Sequence, residues 1–409
     1  MGPRHLRRGR RRPVARLLST AVGAGGSERL GTVGAATFAG LFAAQTGVLI
    51  LAPLLPELAA DLDVSVAAAG QLRTVTGFVA AIGALMIGLF ALRLGLRALL
   101  VGGLALLAAG AALSAVAPTF GALAAAQVIV GLGIAATYPA AMAGSVEWSR
   151  PEHRTAALAT ALLGPPLAWL VMLPLVGVTA ENGWRWAWLL PAGLAMLAVA
   201  LALRLPALPR AAHRSRLAQA FATPGAVRWS LGELLVFGGW ATVIVYGGAL
   251  LEDSYGLSVT TTGILLGLGY LTYVPGSLVF RRSLGRRSLA LLVWIPPLAA
   301  VASILQYAWR PAVAVTVALM GAVAFLASGR SLAGSSAGLA LDDSLRLTLM
   351  GLRTSYMQAG YMAGAALGGA ALEIGGYAAV GLVAACLHLG ASACYLAPAA
   401  ARHASTLSP

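Results

Sequence analysis

The chain has 409 residues, 59% of them hydrophobic and only 10% charged, a charged share about 2.5-fold below the ~25% of soluble globular proteins. That composition excludes a soluble domain, and the 50 Gly and 20 Pro, spread through apolar stretches, exclude disorder, because membrane helices tolerate both residues better than soluble helices do. The net charge of +15, carried by 28 basic residues that are all Arg, lies between apolar segments and not on a soluble face, so a nucleic-acid partner is not expected.

In chain order, apolar runs long enough to cross ~30 Å of hydrocarbon, about 20 residues each, fall near 33–56, 69–91, 98–117, 119–143, 156–179 and 185–204. After a polar break, six more follow near 227–250, 258–280, 289–308, 311–338, 349–371 and 377–397. The predicted fold class is an all-α polytopic membrane protein of twelve transmembrane helices in two six-helix halves. Residues 1–32 read as a basic cytoplasmic tail lying against anionic lipid, too basic and then too Gly-rich for a cleavable signal. Residues 33–204 form the first half, 205–226 a cytoplasmic central loop, 227–397 the second half and 398–409 a second cytoplasmic tail.

Alternating the loops across the bilayer puts 24 arginines on the side of the termini and only Arg185 and Arg310 on the other, with Arg73 and Arg330 inside apolar segments. Such a bias predicts cytoplasmic termini in a multi-pass protein of the cytoplasmic membrane. Glu57, Asp61, Asp63, Glu181, Glu252, Asp253 and Glu373 all fall on the arginine-poor side.

The halves are weakly self-similar. Asp63–Gly70 (DVSVAAAG) aligns with Gly256–Gly263 (GLSVTTTG), and the same offset sets Gly183 on Gly376. Internal repeats of this kind build secondary transporters, whose substrate site lies near the midplane between halves that rock to alternate access.

Four segments carry a more specific likeness: LAPLLPELAADLDVSVAAAGQL (51–72), GLFALRLGLRALL (88–100), GLGIAATYPA (131–140) and NGWRWAWLL (182–190). Through them the chain resembles the major facilitator superfamily over about 33–397, and within it the bacterial twelve-helix drug- and sugar-efflux permeases of the drug:proton antiporter type. The resemblance implies alternating-access export with protons as coupling ion, a small-molecule substrate, the lipid bilayer as partner, a monomer and no cofactor. It also implies a conformational turn after the second helix, kept here as Gly88, Arg93, Gly95 and Arg97, with Leu92 where the family has Asp. On the fourth helix Gln127 stands where family antiporters carry Arg. On the fifth, Gly164-Pro165 keeps part of the antiport motif, while Ala168 and Trp169 replace two expected glycines.

Ionisable groups inside spans cost ~2.5–3.5 kcal/mol at a helix centre and ask for a partner or a purpose. Arg73 either snorkels to headgroups or binds an anionic group. Arg330 either snorkels or lines the cavity, and Glu233 is either arginine-paired or the protonatable coupling site. His388 reads as a core or lipid-edge histidine. Gln45, Gln127, Tyr138 and Trp240, on helices that line the cavity in the resembled family, suggest an amphipathic substrate met by aromatic surface and a few hydrogen bonds. Gly263 and Gly267, with Gly360, Gly364 and Gly368, have the small-xxx-small spacing of close helix approach.

Other function classes find little. No His or Cys cluster suits a metal, Cys386 and Cys394 stand roughly 12 Å apart along one helix, too far for a disulfide, and no phosphate-binding loop serves ATP. The adjacent Asp342 and Asp343 are the only acidic pair on the arginine-rich side, which leaves a membrane enzyme without a constellation. An uptake permease for an anionic metabolite, motivated by Arg73 and Arg330, and a transport-inactive receptor are the alternative readings.

Overall fold

The computed structural model describes residues 27–90, 95–207, 217–281, 288–342 and 345–396. Helix follows apolar sequence throughout: α1 (Gly31–Leu49), α2 (Val66–Ile87), α3 (Leu96–Ala115), α4 (Phe120–Glu147), α5 (Ala156–Ala180), α6 (Trp184–Ala202), α7 (Ala226–Tyr255), α8 (Val259–Phe280), α9 (Ser288–Ala308) and α10 (Val313–Leu339). The last apolar stretch, Thr348–Leu396, has 49 residues, about 74 Å of helix and enough for two crossings. Non-helical backbone at Gly375 and Gly376 breaks it, giving α11 (346–374) and α12 (377–396) and the predicted twelve spans.

The repeat is structural. Ser65 accepts the backbone N–H of Ala68 at the start of α2, and Ser258 accepts that of Thr261 at the start of α8, the N-cap bond that satisfies a helix-end donor. One residue position before each cap's Val or Leu, the chain turns through positive φ: Asp63 at 52° in the first half and Gly256 at 64° in the second. Asp is among the few side chains that accept this conformation. Gly183 and Gly376, paired by the same offset, are also at positive φ, 109° and 63°.

Large apolar side chains point outward as they do towards lipid and not towards water. Phe78, Trp294, Leu298 and Ile374 are all more than half exposed. Within the bundle, α2 packs on α11 and α5 on α8, so each half holds the other by two crosswise contacts. The largest buried cluster joins both halves from the middle to the arginine-poor face, through Leu51, Leu54, Trp188, Leu250 and Val259. Towards the arginine-rich face each half has its own cluster, one around Leu100, Leu104 and Ile134, the other around Trp229, Leu349 and Leu352.

Glycines set the close approach at the arginine-poor end. A Cβ at Gly177 of α5 would lie 2.7 Å from the Val259 carbonyl, and one at Gly263 of α8 would lie 2.5 Å from the Leu173 carbonyl. The extension Leu51–Asp61 beyond α1 packs on Gly247–Tyr255, the end of α7, where a Cβ at Gly248 would strike the Ala52 carbonyl. Ser65 also bonds the Glu373 carboxylate across the seam.

At the same face Asp61 accepts hydrogen bonds from Arg185 at 2.6 Å and from the Trp184 indole at 3.1 Å, tying the α1 extension to α6. Arg185, then Trp184, hold the Asp61 carboxyl below its ordinary range. A depressed carboxylate pKa contributes stability above its unfolded value that disappears as pH falls through the folded one. Both partners are well exposed, at 38% and 47%, so the contribution is small. Arg185→Leu is therefore expected to lower the thermal midpoint slightly at neutral pH and not at all in acid, as a melt of the detergent-solubilised protein at several pH values would read.

Candidate functional site

At mid-depth, where the crosswise contacts meet, six spans surround a small cavity of about 20 Å³ lined by Gln45 and Leu49 of α1, Arg73 of α2, Trp169 and Leu173 of α5, Ala241 and Val245 of α7, Tyr270 of α8 and Tyr361 of α11. Both halves contribute. Trp169 lies about 16 Å from the end of α5 at ~1.5 Å per residue, near the bilayer middle.

The walls are aromatic. Trp169 of the first half stacks on Trp240 of the second at 5.0 Å with an interplanar angle of 11°. Tyr270 meets both rings edge-on at 5.2 and 5.6 Å, and Tyr273 tilts against Trp169 at 6.0 Å. Such offset and edge arrangements add to the apolar burial of the rings.

The polar part is small and mostly spoken for. Tyr138 donates its hydroxyl to Gln45 Oε1, joining α4 to α1 beside the cavity. Arg73, 1% exposed, donates from Nη2 to Gln358 Oε1 at 3.0 Å and lies over the Tyr361 ring at 4.8 Å. Its Nη1 has no partner, and none of the ion pairs among the described residues includes it.

Of the residues singled out in the sequence, Gln45, Arg73, Tyr138 and Trp240 thus come together at one place. Gln127 does not join them. Fully buried in α4, it accepts from Thr76 of α2 and donates to Ser114 of α3, both at 3.0 Å, binding the first half together. Thr76 and Ser114 also reach the carbonyls of Leu72 and Gly110, so neither hydroxyl is stranded when Gln127 is removed. Gln127→Leu is expected to cost about 1 kcal/mol, the net worth of an ordinary hydrogen bond, with transport retained; a thermal melt beside a transport assay checks both.

Arg330 and Glu233 meet elsewhere, in a buried cluster of the second half. Glu233 Oε1 accepts from Arg330 Nη1 at 2.6 Å, and its Oε2 accepts from Arg353 Nε at 2.7 Å. Glu233 is fully buried and Arg330 1% exposed. Gly334 leaves the room for this pair, since a Cβ there would lie 2.5 Å from Arg330 Nη1 and against Glu233 Oε1. His388 of α12 is buried at 1% exposure with both ring nitrogens unpartnered. Nothing in the sequence paired residues so far apart in the chain.

The conformational-turn residues fall partly outside the described residues, as do Leu92, Arg93 and Asp343. Gly88 lies in the last turn of the helix Val66–Phe90. Gly95 precedes the first turn of α3, and Arg97 donates to the Leu203 carbonyl at 2.5 Å. Gly164 approaches the backbone of α1, where a Cβ would be 2.8 Å from the Phe38 carbonyl, and Pro165 occupies the first turn of the helix Gly164–Ala180, where no N–H is missed.

Trp169 is the site residue that reading the sequence by motif missed. It is conspicuous there only as a departure from an expected glycine, yet it supplies half of the aromatic stack. A larger groove between α8 and α10, about 670 Å³, is lined by Leu265, Leu268, Val317, Phe325 and their neighbours. Its one hydroxyl, on Thr272, already reaches the Gly269 and Gly321 carbonyls, so it offers a lipid tail a surface and a polar solute nothing. Among the described residues no group of His, Cys, Asp and Glu could hold a metal ion.

This architecture has known counterparts. The chain is similar to a variant of the nucleoside transporter NupG (TM-score 0.70, 14% identity, covering 90% of this chain and 98% of that one). It is similar to the human organic anion transporter MFSD10 (TETRAN), with TM-score 0.68, 18% identity and coverage of 90% and 99%. A third likeness is to a bacterial homolog of the human lysosomal transporter Spinster in an inward-facing, occupied conformation (TM-score 0.69, 17% identity, coverage of 89% and 95%). At these identities the likeness is one of fold. No curated protein sequence is significantly similar to the chain. The family model described as Major Facilitator Superfamily matches residues 37–326, most of the chain, and together with the twelve spans and their repeat this makes the protein a membrane transporter of the Major Facilitator Superfamily, not an enzyme.

Proposed function

We propose that the protein is a secondary active transporter of the cytoplasmic membrane that exports a small amphipathic organic compound by alternating access, drawing on the proton gradient. The observation that carries this reading is the mid-depth cavity built jointly by both halves, aromatic with a few polar groups, as small-molecule sites are. Export follows the sequence resemblance to efflux permeases, and cytoplasmic termini follow the 24-to-2 arginine split. On that orientation the arginine-poor face is outside, and the continuous core there belongs to a state closed to the outside.

Two carboxylate arrangements are available to couple protons. Glu233, the coupling candidate of the sequence, would have to leave two guanidinium groups to take a proton. Glu57 and Glu252 face the seam between the α1 extension and the end of α7, close enough for Glu57 to act electrostatically on Glu252, and each has one buried oxygen without a partner. Burial pushes the Glu57 carboxyl up. The nearby cation, Arg310, is bonded to Ser254 and lies over Tyr377, whose hydroxyl donates to Asp253. Deprotonation of both glutamates would set like charges across the seam and favour its opening, whereas protonation of either removes that repulsion and favours closure.

The test is accumulation of a panel of labelled drugs, sugars and metabolites in cells expressing the chain or an empty vector, with and without a protonophore. Lowered accumulation that the protonophore abolishes is expected, with Glu252→Gln removing the protonophore sensitivity. Raised accumulation would reverse the proposed direction. No difference, with the protein shown to be inserted, would contradict transport of these classes.

A further inference from the structure

Among the described residues, Arg73 is an arginine of the membrane interior with no carboxylate partner. Arg330 shares Glu233 with Arg353, so of the two interior arginines that raised the question of an anionic ligand, one is accounted for. The groups facing Arg73 are Gln358 and Tyr361 from α11, with Gln45 and Tyr138 close by from α1 and α4. All are neutral. Burying a guanidinium without an anion costs several kcal/mol even after relaxation, and a water could satisfy Nη1 as an acceptor but would bring no charge.

Arg73, whose Nη1 is unpartnered, lines the cavity together with Trp169, which stacks on Trp240. These two rings belong to opposite halves. When the halves part, the stack separates and exposes two aromatic faces beside a cavity that Arg73 also lines. At about 20 Å³ the cavity holds no more than a water's share of space, so occupancy requires that parting.

We infer that Arg73 is the anchor for the anionic group of the transported compound, and that the substrate class is an aromatic monoanion, its carboxylate on Arg73 and its ring between Trp169 and Trp240. The inference rests on the central cavity being the transport site. A single unbalanced cation sets the charge at one: a monoanion neutralises the site, whereas an amine would add to the charge already there. Guanidinium and carboxylate match as a two-bond pair, which favours a planar anion over a point charge.

The test uses the purified full-length protein in detergent, with indole-3-acetate and 3-phenylpropionate as probes, their primary amides and the matching amines as controls, and quenching of tryptophan fluorescence with isothermal calorimetry as readouts. The acids are expected to bind at least tenfold more tightly than their amides, and the amines not to bind. Arg73→Gln is expected to weaken the acids about 100-fold while raising the thermal midpoint of the ligand-free protein, because it removes an uncompensated buried charge. A purely structural role would lower that midpoint. Arg73→Lys, which keeps the charge and loses the fork, is expected to retain the preference for acid over amide at reduced affinity.

Amides or amines binding as tightly as acids, with Trp169→Ala abolishing binding and Arg73→Gln leaving it intact, would overturn the anion assignment and leave the central site standing. Acid binding indifferent to both Trp169→Ala and Arg73→Gln would overturn both. Failure of every acid to bind the wild-type protein would overturn the substrate class.

Discussion

Replacing Glu233 by Gln is expected to destabilise the second half of the protein by about 3–5 kcal/mol, the range for removing one partner of a buried ion pair. The carboxylate serves two guanidinium groups at once, Arg330 at 2.6 Å and Arg353 at 2.7 Å. Its loss leaves both cations facing each other in a medium that screens them poorly. Gln fills the same volume but can accept only through its oxygen, and its amide N–H groups would point at guanidinium donors. Arg353 retains the Ser331 carbonyl and hydroxyl, both at 3.1 Å, whereas Arg330 Nε and Nη2 already lack partners, so the larger share of the penalty falls on Arg330. The double variant Glu233→Gln with Arg330→Gln is therefore expected to be more stable than the single one, a non-additivity that marks direct contact. Thermal unfolding of the four proteins in detergent measures it. A single variant as stable as the wild type would show that this pair does not hold α7 to α10.

The second large effect is expected at Gly263. Its α carbon faces the Leu173 carbonyl, with 2.5 Å for any added Cβ, and Gly177 makes the reciprocal approach to Val259 at 2.7 Å. Backbone gives way less readily than the far end of a side chain. Gly263→Leu cannot close the arginine-poor face without moving α8 off α5, yet the rest of each half is untouched. Transport is expected to fall to background while the protein remains inserted and folded. Reactivity of a cysteine placed at Thr260, half-buried in this contact and bonded to the Gly177 carbonyl, is expected to rise towards an impermeant thiol reagent. Normal transport in the variant would mean that the two helices never need to meet so closely.

Most of the fold was legible because it is local physics. Span length follows from hydrophobic runs, and the offset that pairs Asp63 with Gly256 and Gly183 with Gly376 reappears as positive φ at all four. The site was legible only in part. Arg73 and Trp240 announced themselves as polar or amphipathic groups within apolar helices, a property each residue carries alone. The pairing of Glu233 with Arg330 and Arg353 depends on which helix faces are turned towards one another, and hydropathy does not encode that. Gln127 shows the converse: a polar residue at a position associated with coupling proves to bond α4 to α2 and α3. Trp169 was obscured because a motif that expects glycine reads a large side chain as a loss, whereas its neighbours Trp240 and Tyr270 make it the wall of the cavity.

The central claim is that the two halves rock about the shared cavity, and paired spin labels measure this most directly. With the native Cys386 and Cys394 replaced, one pair is placed at Glu181 and Ile374 on the arginine-poor face and another at Glu152 and Ala340 on the arginine-rich face, all exposed positions. Each distance is then read in the wild-type background and with Gly263→Leu, which wedges the arginine-poor face apart without any substrate. Alternating access requires the Glu181–Ile374 distance to lengthen and the Glu152–Ala340 distance to shorten in the same molecules. Lengthening on one face with no change on the other would show the halves flexing independently, and would contradict a single site opened to each side in turn.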